Sequence, residues 1–588
     1  MCGIFGYTSS DGFTLPSQSL QSMGDVITHR GPDDRGVASG AGWAVGNMRL
    51  SIIDLQHGHQ PFVSEDGLVS VVQNGEIFNY IELAQELKAL GIHCKTHSDT
   101  EVILRLYLHH GIGFLSRLNG MFAIAIRDQR INTTYLVRDR IGVKPLYIGQ
   151  HNNTWVFGSE VKVLLKSGLF AVQPNLQALG HYLRFNYVPQ PLTMFTGIAH
   201  VQPGTYVQIT PAGASTHTWW NLHAVQPNPR LGEADCIEEF NAILDDAVRI
   251  RMRCDVSFGA FLSGGVDSST VVGLMARHSD QPIKTFCIGF EDPRFDESQF
   301  AQAASQRFGT QHWCEIVDPN MLDLWPMATW HCDQPHGDVS FLPTYKVSEL
   351  AARHTKVVLT GDGGDELFAG YDKYKSFFAR SDVAGLSQAD FQQQYFDGIS
   401  LFTEAQKAEL LAGSATCTEL EDSQAWSSTL YGSMQHQDRI NQALLFDMHY
   451  LLSGNNLVKP DRMGMAKSIE ARTPFLDYRM MEFAFRVPGH LKLKHGETKY
   501  IYKKAVEPLI GHALAYRKKQ MFTVPVGEWF KSSLQGYCHH HIAGLQTLNP
   551  EVGLQYLKRH VEGSANHTRE LRALIAVAHW EQQFGVAA

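Results

Sequence analysis

Phe261-Leu262-Ser263-Gly264-Gly265-Val266-Asp267-Ser268-Ser269 decides how the rest of the chain is read. Ser257 to Leu262 before it reads as a buried strand, and the residues after it have helical spacing. Small residues between a strand and a helix leave backbone N–H groups open, and a helix start favours anions. The pattern G-x-x-x-x-G-K-[ST] is absent, so this is not the loop of a P-loop kinase or GTPase. A second run, Val357-Val358-Leu359-Thr360-Gly361-Asp362-Gly363-Gly364-Asp365-Glu366, again puts a Gly/Asp loop at the end of a strand. Loops at the carboxyl ends of parallel strands converge on one crevice. The competing readings are an ordinary glycine turn for the first loop, and a plain turn or calcium binding for the second.

Working outward, helix Cys236 to Arg251, the strand Lys284 to Phe290 and further strands at Trp313 to Val317 and Lys356 to Thr360 alternate with helices. That order predicts a parallel α/β sheet. From about residue 375 the pattern is mostly helical. Upstream, His223 to Ala234 is polar and Pro-containing and reads as a linker. The first ~210 residues differ in kind. Ala44 to Ile53, Val69 to Gln73, Phe122 to Arg127 and Thr134 to Val137 predict strands. Ile81 to Leu90 predicts a helix, as does Thr100 to His110 behind a Ser98-Asp99 cap.

Chemistry gathers at the start of the chain. Removal of Met1 makes Cys2 the first residue, with a thiol and a free α-amine together. That amine has a pKa near ~8 and can take the thiol proton directly or through water, so no His partner is needed. An incidental buried cysteine is the plain alternative. Five segments then occur in order: Met1 to Gly6, His29-Arg30-Gly31-Pro32-Asp33-Asp34, Arg49 to Asp54, Asn74-Gly75-Glu76-Ile77-Phe78-Asn79 and Ser98-Asp99-Thr100-Glu101. A guanidinium at 49 suits a carboxylate with two charge-assisted hydrogen bonds, and Asp99 supplies the opposite charge for an ammonium. The Asn74 amide and the Gly75 N–H can form an oxyanion hole. Asn74-Gly75 alone reads as a hairpin turn.

Together these segments closely resemble the glutaminase domain of class II glutamine amidotransferases, the N-terminal-nucleophile family. That resemblance implies an αββα sandwich, with Glu76 and the backbone of Ile52 and Ile53 adding glutamine contacts. The S-G-G-x-D-S loop resembles that of N-type ATP pyrophosphatases. It implies ATP on Ser263, Gly264, Gly265, Asp267 and Ser268, with Leu262, Ile288, Thr360 and Gly361 around the adenosine. Asp267 and Asp365 can then meet as oxygen ligands for Mg²⁺ on the phosphates. Val458 to Ala466, Glu470 to Asp477 and Thr498-Lys499-Tyr500 extend the similarity to glutamine-hydrolysing asparagine synthetases over nearly the whole chain. A lysine of the last segment is expected to meet phosphate charge, and Lys499 is chosen over Lys503.

The resemblance implies two domains, 2–215 for glutaminase and 235–588 for carboxylate adenylation. L-aspartate is the leading acceptor. One departure bears on it: asparagine-forming members commonly carry Glu where this chain has Asp362. The rivals are another carboxylate, such as a sugar acid or a specialised-metabolite intermediate, a non-catalytic homologue, and a β-lactam-forming relative that needs no ammonia. Intact Cys2, Arg49, Asn74, Asp99, Asp267 and Asp365 weigh against the non-catalytic homologue, and the kept terminal Cys against the β-lactam-forming relative.

Composition agrees with this class. The chain has 588 residues, 44% hydrophobic and 19% charged, too apolar for a disordered chain. A formal charge of -9 without a basic run argues against nucleic-acid partners. No apolar stretch spans a bilayer and the start lacks a secretory pattern. Nine scattered cysteines form no C-x-x-C pair, which predicts a reduced, cytoplasmic enzyme rather than a disulfide or zinc framework. Cys538-His539-His540-His541 reads as a surface cluster more readily than as a metal site. A homodimer is an open expectation.

Overall fold

The computed structural model describes residues 2–317, 319–412, 423–518 and 526–586. Its first 220 residues build two antiparallel sheets of six strands each. One runs from Ile198–His200 through Tyr147–His151, Thr154–Gly158, Gly3–Ser9 and Trp43–Arg49 to Asp34–Gly40. The other runs from Gly213–Thr218 through Thr205–Thr210, Thr133–Arg138, Gly120–Asp128 and Val69–Ile77 to Phe62–Val63. Strand side chains alternate between faces. Ile4, Val45, Val72, Ala123 and Leu136 fill the space between the sheets. Phe5 and Tyr7 point the other way, into a cluster with Met23 of helix Ser17–Asp25. Val71, Ile124 and Val137 pack outward with Ile103 and Leu106 of helix Asp99–His110. A sheet covered on both faces has no polar side, which is why every residue of Val69–Ile77 is buried. This is the αββα sandwich.

The second half carries a five-stranded parallel sheet in the order Gln311–Val317, Lys284–Phe290, Phe258–Phe261, Val357–Leu359, Glu470–Arg472. The chain enters at Phe258–Phe261, builds outward on one side, then crosses to the other. The switch point lies between Phe258–Phe261 and Val357–Leu359, where a parallel sheet opens a crevice at its carboxyl edge. Residues after 375 are mostly helical as expected, apart from a small hairpin, Leu493–Lys494 with Glu497–Thr498, and a strand that completes the sheet, Glu470–Arg472, paired Val358↔Ala471. Its three residues are all buried, so no alternation marked it. The expected linker is irregular after a short turn at Leu222–Ala224, but helix Glu233–Arg251 begins inside its last two residues.

One further segment departs from regular helix. Helix Arg439–Asp447 passes into a π-helix, Met448–Asn456, and on into helix Val458–Met465. π-helical turns are rare and concentrate at functional sites. Here the widened turn brings Asn455 and Asn456 toward the crevice. Asn455 Nδ2 donates to Asp338 Oδ2 (3.4 Å), and Asn456 Nδ2 donates to Glu366 Oε1 (2.6 Å). Away from both centres, Cys538 packs in an apolar core while His539 and His540 are exposed.

Candidate functional site

Cys2 stands at the head of strand Gly3–Ser9, 6% exposed. Its N–H donates to Asn74 Oδ1 (3.2 Å) and its carbonyl accepts from Arg30 Nε (3.2 Å). Burial pushes the Cys2 thiol above its ordinary pKa, and a backbone hydrogen bond from Leu50 and the nearby Arg49 pull it back. Asn74 and Gly75 lie inside strand Val69–Ile77, with Gly75 opposite Phe122, so they form no hairpin turn. Gly75 has φ +140°, and a Cβ there would lie 2.0 Å from the Met121 carbonyl oxygen. Only glycine fits there.

Around them the charged groups that sequence assigns to glutamine come together. Arg49 Nη2 is committed to the carbonyls of Ile53 (3.0 Å) and Asp54 (2.8 Å). Its Nη1 is buried and meets no acceptor among the described residues. Arg49 therefore offers an incoming carboxylate its Nη1 side, rather than a fork with both terminal nitrogens free. Asp99 Oδ2 accepts from Ile77 N (2.9 Å) and Gln73 Nε2 (3.1 Å), and burial raises its pKa. Burial, with Glu470 and Asp99 nearby, pushes Glu76 well up. Arg472 lies 3.9 Å from Glu76, while Asp99 pairs with no lysine or arginine among the described residues. The backbone contacts expected of Ile52 and Ile53 are narrowed: the Ile52 carbonyl accepts from Asp255 N (2.9 Å) and the Ile53 carbonyl from Arg49.

At the switch point the two Gly/Asp loops touch. A Cβ on Gly361 would lie 2.6 Å from Asp267 Cβ, and one on Gly364 would lie 2.6 Å from Asp267 Oδ1. The first loop folds on itself, Gly265 N–H to Ser263 Oγ and Ser263 N–H to Ser268 Oγ, both 3.3 Å. Gly264, at φ +71°, lets it pass the Phe300 backbone. Helix Val266–Arg277 then starts with Asp267 in its first turn. Leu262, Ile288 and Thr360 are buried beside the loops, and Thr360 Oγ1 donates to Asp362 Oδ2 (2.6 Å). Burial raises the Asp362 pKa.

Lys499 enters from the far side. It holds a left-handed conformation (φ 55°) at the start of helix Tyr500–Ile510. Its Nζ lies 2.7 and 2.6 Å from the two carboxylate oxygens of Asp267 and 2.7 Å from Asp365 Oδ1. Burial pulls this ammonium down, but the two carboxylates outweigh it and hold its pKa above the ordinary value. Lys503 pairs with Glu497 instead. Two carboxylates that converge on one cation supply the hard oxygen donors that a small dication takes.

Three further groups escaped sequence reading. Arg517 Nη2 donates to Glu297 Oε1 (2.6 Å) while its buried Nη1 meets no acceptor among the described residues. Its guanidinium lies 4.2 Å from the Phe300 ring centre. Lys459 Nζ donates to Asp338 Oδ2 (2.8 Å) and Ser340 Oγ (3.0 Å). Glu366 is buried and takes bonds from Tyr371 OH (2.7 Å) and Asn456. Lys459 and Glu366 lie within motif segments of the sequence. Arg517 and Asp338 lie in none, and only the fold brings them in.

Comparison with known proteins supports both halves. The family model "Glutamine amidotransferase domain" matches residues 1–220 and "Asparagine synthase" matches residues 239–582. Asparagine synthetase [glutamine-hydrolyzing] 1 of Bacillus subtilis is 32% identical over 99% of this chain and 96% of its own. A putative asparagine synthetase [glutamine-hydrolyzing] of Mycobacterium bovis is 31% identical over 99% of this chain and 97% of its own. A fungal relative, amidase chry2 of Gibberella zeae, is 27% identical over 100% of this chain and 99% of its own.

Proposed function

The chain belongs to the asparagine synthase family, as a glutamine-dependent amidotransferase, and from that premise we propose that it converts L-aspartate to L-asparagine through two sites working in series. One observation carries this reading: a glutamine-shaped set of charges around Cys2 and a phosphate-shaped pair of loops at the sheet switch point occur in one chain. We take the glutaminase domain as 2–215 and the adenylating domain as 235–588. The free thiols, Cys2, Cys236 and Cys332 among them, support a reducing, cytoplasmic setting.

In the first site Arg49 holds the glutamine carboxylate, and Asp99 with Glu76 holds its ammonium. The Cys2 thiolate attacks the side-chain amide, its proton passing to the α-amine freed by loss of Met1. Asn74 Nδ2 and Gly75 N–H stabilise the oxyanion, and ammonia leaves. Water then releases glutamate from the thioester. In the second site the loop that carries Ser263, Gly264, Gly265, Asp267 and Ser268 holds ATP phosphates, while Leu262, Ile288, Thr360 and Gly361 surround the adenosine. Asp267 and Asp365 would hold Mg²⁺, which when bound offsets phosphate charge. Lys499, displaced from that pair, and the open Nη1 of Arg517 face the phosphates. The acceptor carboxylate attacks the α-phosphate, pyrophosphate departs, and ammonia displaces AMP from the acyl-adenylate.

A second reading, that the acceptor is another carboxylate, rests on Asp362 in place of the usual Glu and on relatives named amidases. Asp draws the carboxylate back by one C–C bond, roughly 1.5 Å, and misplacement by ~1 Å can cost ~100-fold in rate. The deciding experiment measures AMP formed from ATP, glutamine and a panel of carboxylates. We expect aspartate to support it and Asp362→Glu to keep or raise the rate. Silence of both proteins with aspartate, beside turnover of another acid, makes that acid the substrate. In the same assay Cys2→Ala should lose glutamine and keep added ammonium; a variant that still hydrolyses glutamine at the parental rate removes Cys2 from the mechanism.

A further inference from the structure

One short helix touches both centres. Lys459, near the start of Val458–Met465, reaches Asp338 and Ser340 beside the nucleotide crevice. Asp461 and Arg462 turn toward the amidotransferase half. Arg30 Nη1 and Nη2 donate to Asp461 Oδ2 and Oδ1, each at 3.0 Å, the two-pronged geometry of an arginine on a carboxylate. Arg30 Nη1 also meets Glu160 Oε1 (3.0 Å), and its Nε holds the Cys2 carbonyl. Arg462 Nη1 lies 2.9 Å from the same Glu160 oxygen, and its Nη2 donates to Tyr147 OH (2.8 Å). The Arg30 side chain is fully buried, and those of Asp461, Glu160 and Arg462 are at most 4% exposed.

A buried guanidinium that spends every edge has one orientation. Asp461 fixes the terminal nitrogens of Arg30, so the position of the synthetase helix sets the direction of Nε, and with it the Cys2 carbonyl. The Cys2 N–H is held by Asn74 from the amidotransferase half. The nucleophile's backbone is thus gripped by its own half at one end and, through Arg30, by the other half at the other. We propose that Asp461 is a positioning residue for Cys2, acting through Arg30, so that the synthetase half sets the working geometry of the glutaminase. This rests on Cys2 being the nucleophile.

Removing the Asp461 charge leaves buried Arg30 with Glu160 as its one paired carboxylate and risks the fold; Asp461→Glu keeps the charge and moves it by roughly 1.5 Å. Three readouts are taken on the full-length enzyme: glutamine hydrolysis, inactivation by a diazo-ketone analogue of glutamine that alkylates the nucleophile, and ammonium-dependent AMP formation. We expect kcat for hydrolysis and the inactivation rate each to fall ~10-fold or more, with KM for glutamine within about threefold and ammonium-dependent AMP within about twofold of the parent. Arg30→Lys, which keeps the charge but loses the fork, should give the same split even if Asp461→Glu does not fold. A parental inactivation rate in the folded variants, or an equal loss of ammonium-dependent AMP, overturns the positioning role. A Cys2→Ala control separates the two readings. If Cys2→Ala still hydrolyses glutamine, the nucleophile reading fails and takes this one with it; if it is dead while Asp461→Glu and Arg30→Lys behave as the parent, only the positioning role fails.

Discussion

Lys492 is buried to 0% exposure, and its Nζ meets no hydrogen-bond acceptor among the described residues. The Phe485 ring centre lies 4.4 Å away. Burial pushes its pKa down to about 7, with Asp438 pulling weakly upward. In the unfolded chain a lysine titrates near ~10.4. Between these values the unfolded chain holds a proton that the folded chain has lost, so folding stability rises with pH across that window, by up to about 1.4 kcal/mol per unit. Below pH ~7 both states are protonated and the full cost of a buried charge remains. Lys492→Met keeps the aliphatic length without the charge. We expect it to raise Tm at pH 7, with the gain shrinking toward pH 10. A variant less stable than the parent at pH 7 would show that the ammonium is held favourably by its rings. Nothing in the sequence marked this residue, since a lysine in Gly489–Lys492 reads as solvated. Arg49, Asn74 and Asp99 were legible because each stands in a short local pattern. The narrowing of Arg49 to its Nη1 side was not, because the Ile53 and Asp54 carbonyls that take Nη2 are placed by a turn.

At the scale of elements, the crevice depends on two loops leaving adjacent parallel strands and meeting at Asp267 and Asp365. The contact is close enough that Gly361 and Gly364 leave no room for a Cβ. Either aspartate changed to Asn removes one negative oxygen facing the Lys499 ammonium and the proposed dication. We expect pyrophosphate release to fall on the order of 100-fold in each variant, with basal glutamine hydrolysis largely kept, because the Cys2 pocket takes no group from these loops. Coupled assays for pyrophosphate and glutamate on the same preparations check this; normal pyrophosphate release in both variants means the metal sits elsewhere. Both loops were legible, since a Gly/Asp run after an apolar stretch is a local signal. The strand Glu470–Arg472 was not. Three buried residues carry no period, and their strand character comes from pairing with Val357–Leu359, over 100 residues away in sequence. The π-helix Met448–Asn456 was equally hidden, although its asparagines bring Asp338 and Glu366 into one polar network.

At the scale of the whole molecule, the proposed reaction requires ammonia made at Cys2 to reach an acyl-adenylate held by the other half. In water near pH 7 it would take a proton and cease to be a nucleophile. The halves are joined by contacts that seal as well as hold. Arg30, Glu160, Asp461 and Arg462 form a buried ionic layer beside Cys2, Arg472 approaches Glu76 (3.9 Å), and Asp255 binds the backbone of Ile52 and Asp54. Charges so deeply desolvated are held in place by their mutual pairing, which makes such a layer costly to open. The nitrogen should therefore pass between the sites without mixing with solvent. With ¹⁵N-amide glutamine and a large excess of unlabelled ammonium, we expect the product amide to keep most of the label, read by mass spectrometry under conditions where ammonium alone also supports turnover. Label diluted in proportion to bulk ammonium would mean that the interface is open to water. Asp461→Glu ties this prediction to the positioning role. If the layer that orients Cys2 also closes the path, that variant should lose label retention as well as glutaminase rate, while its ammonium-dependent synthesis stays near the parent's.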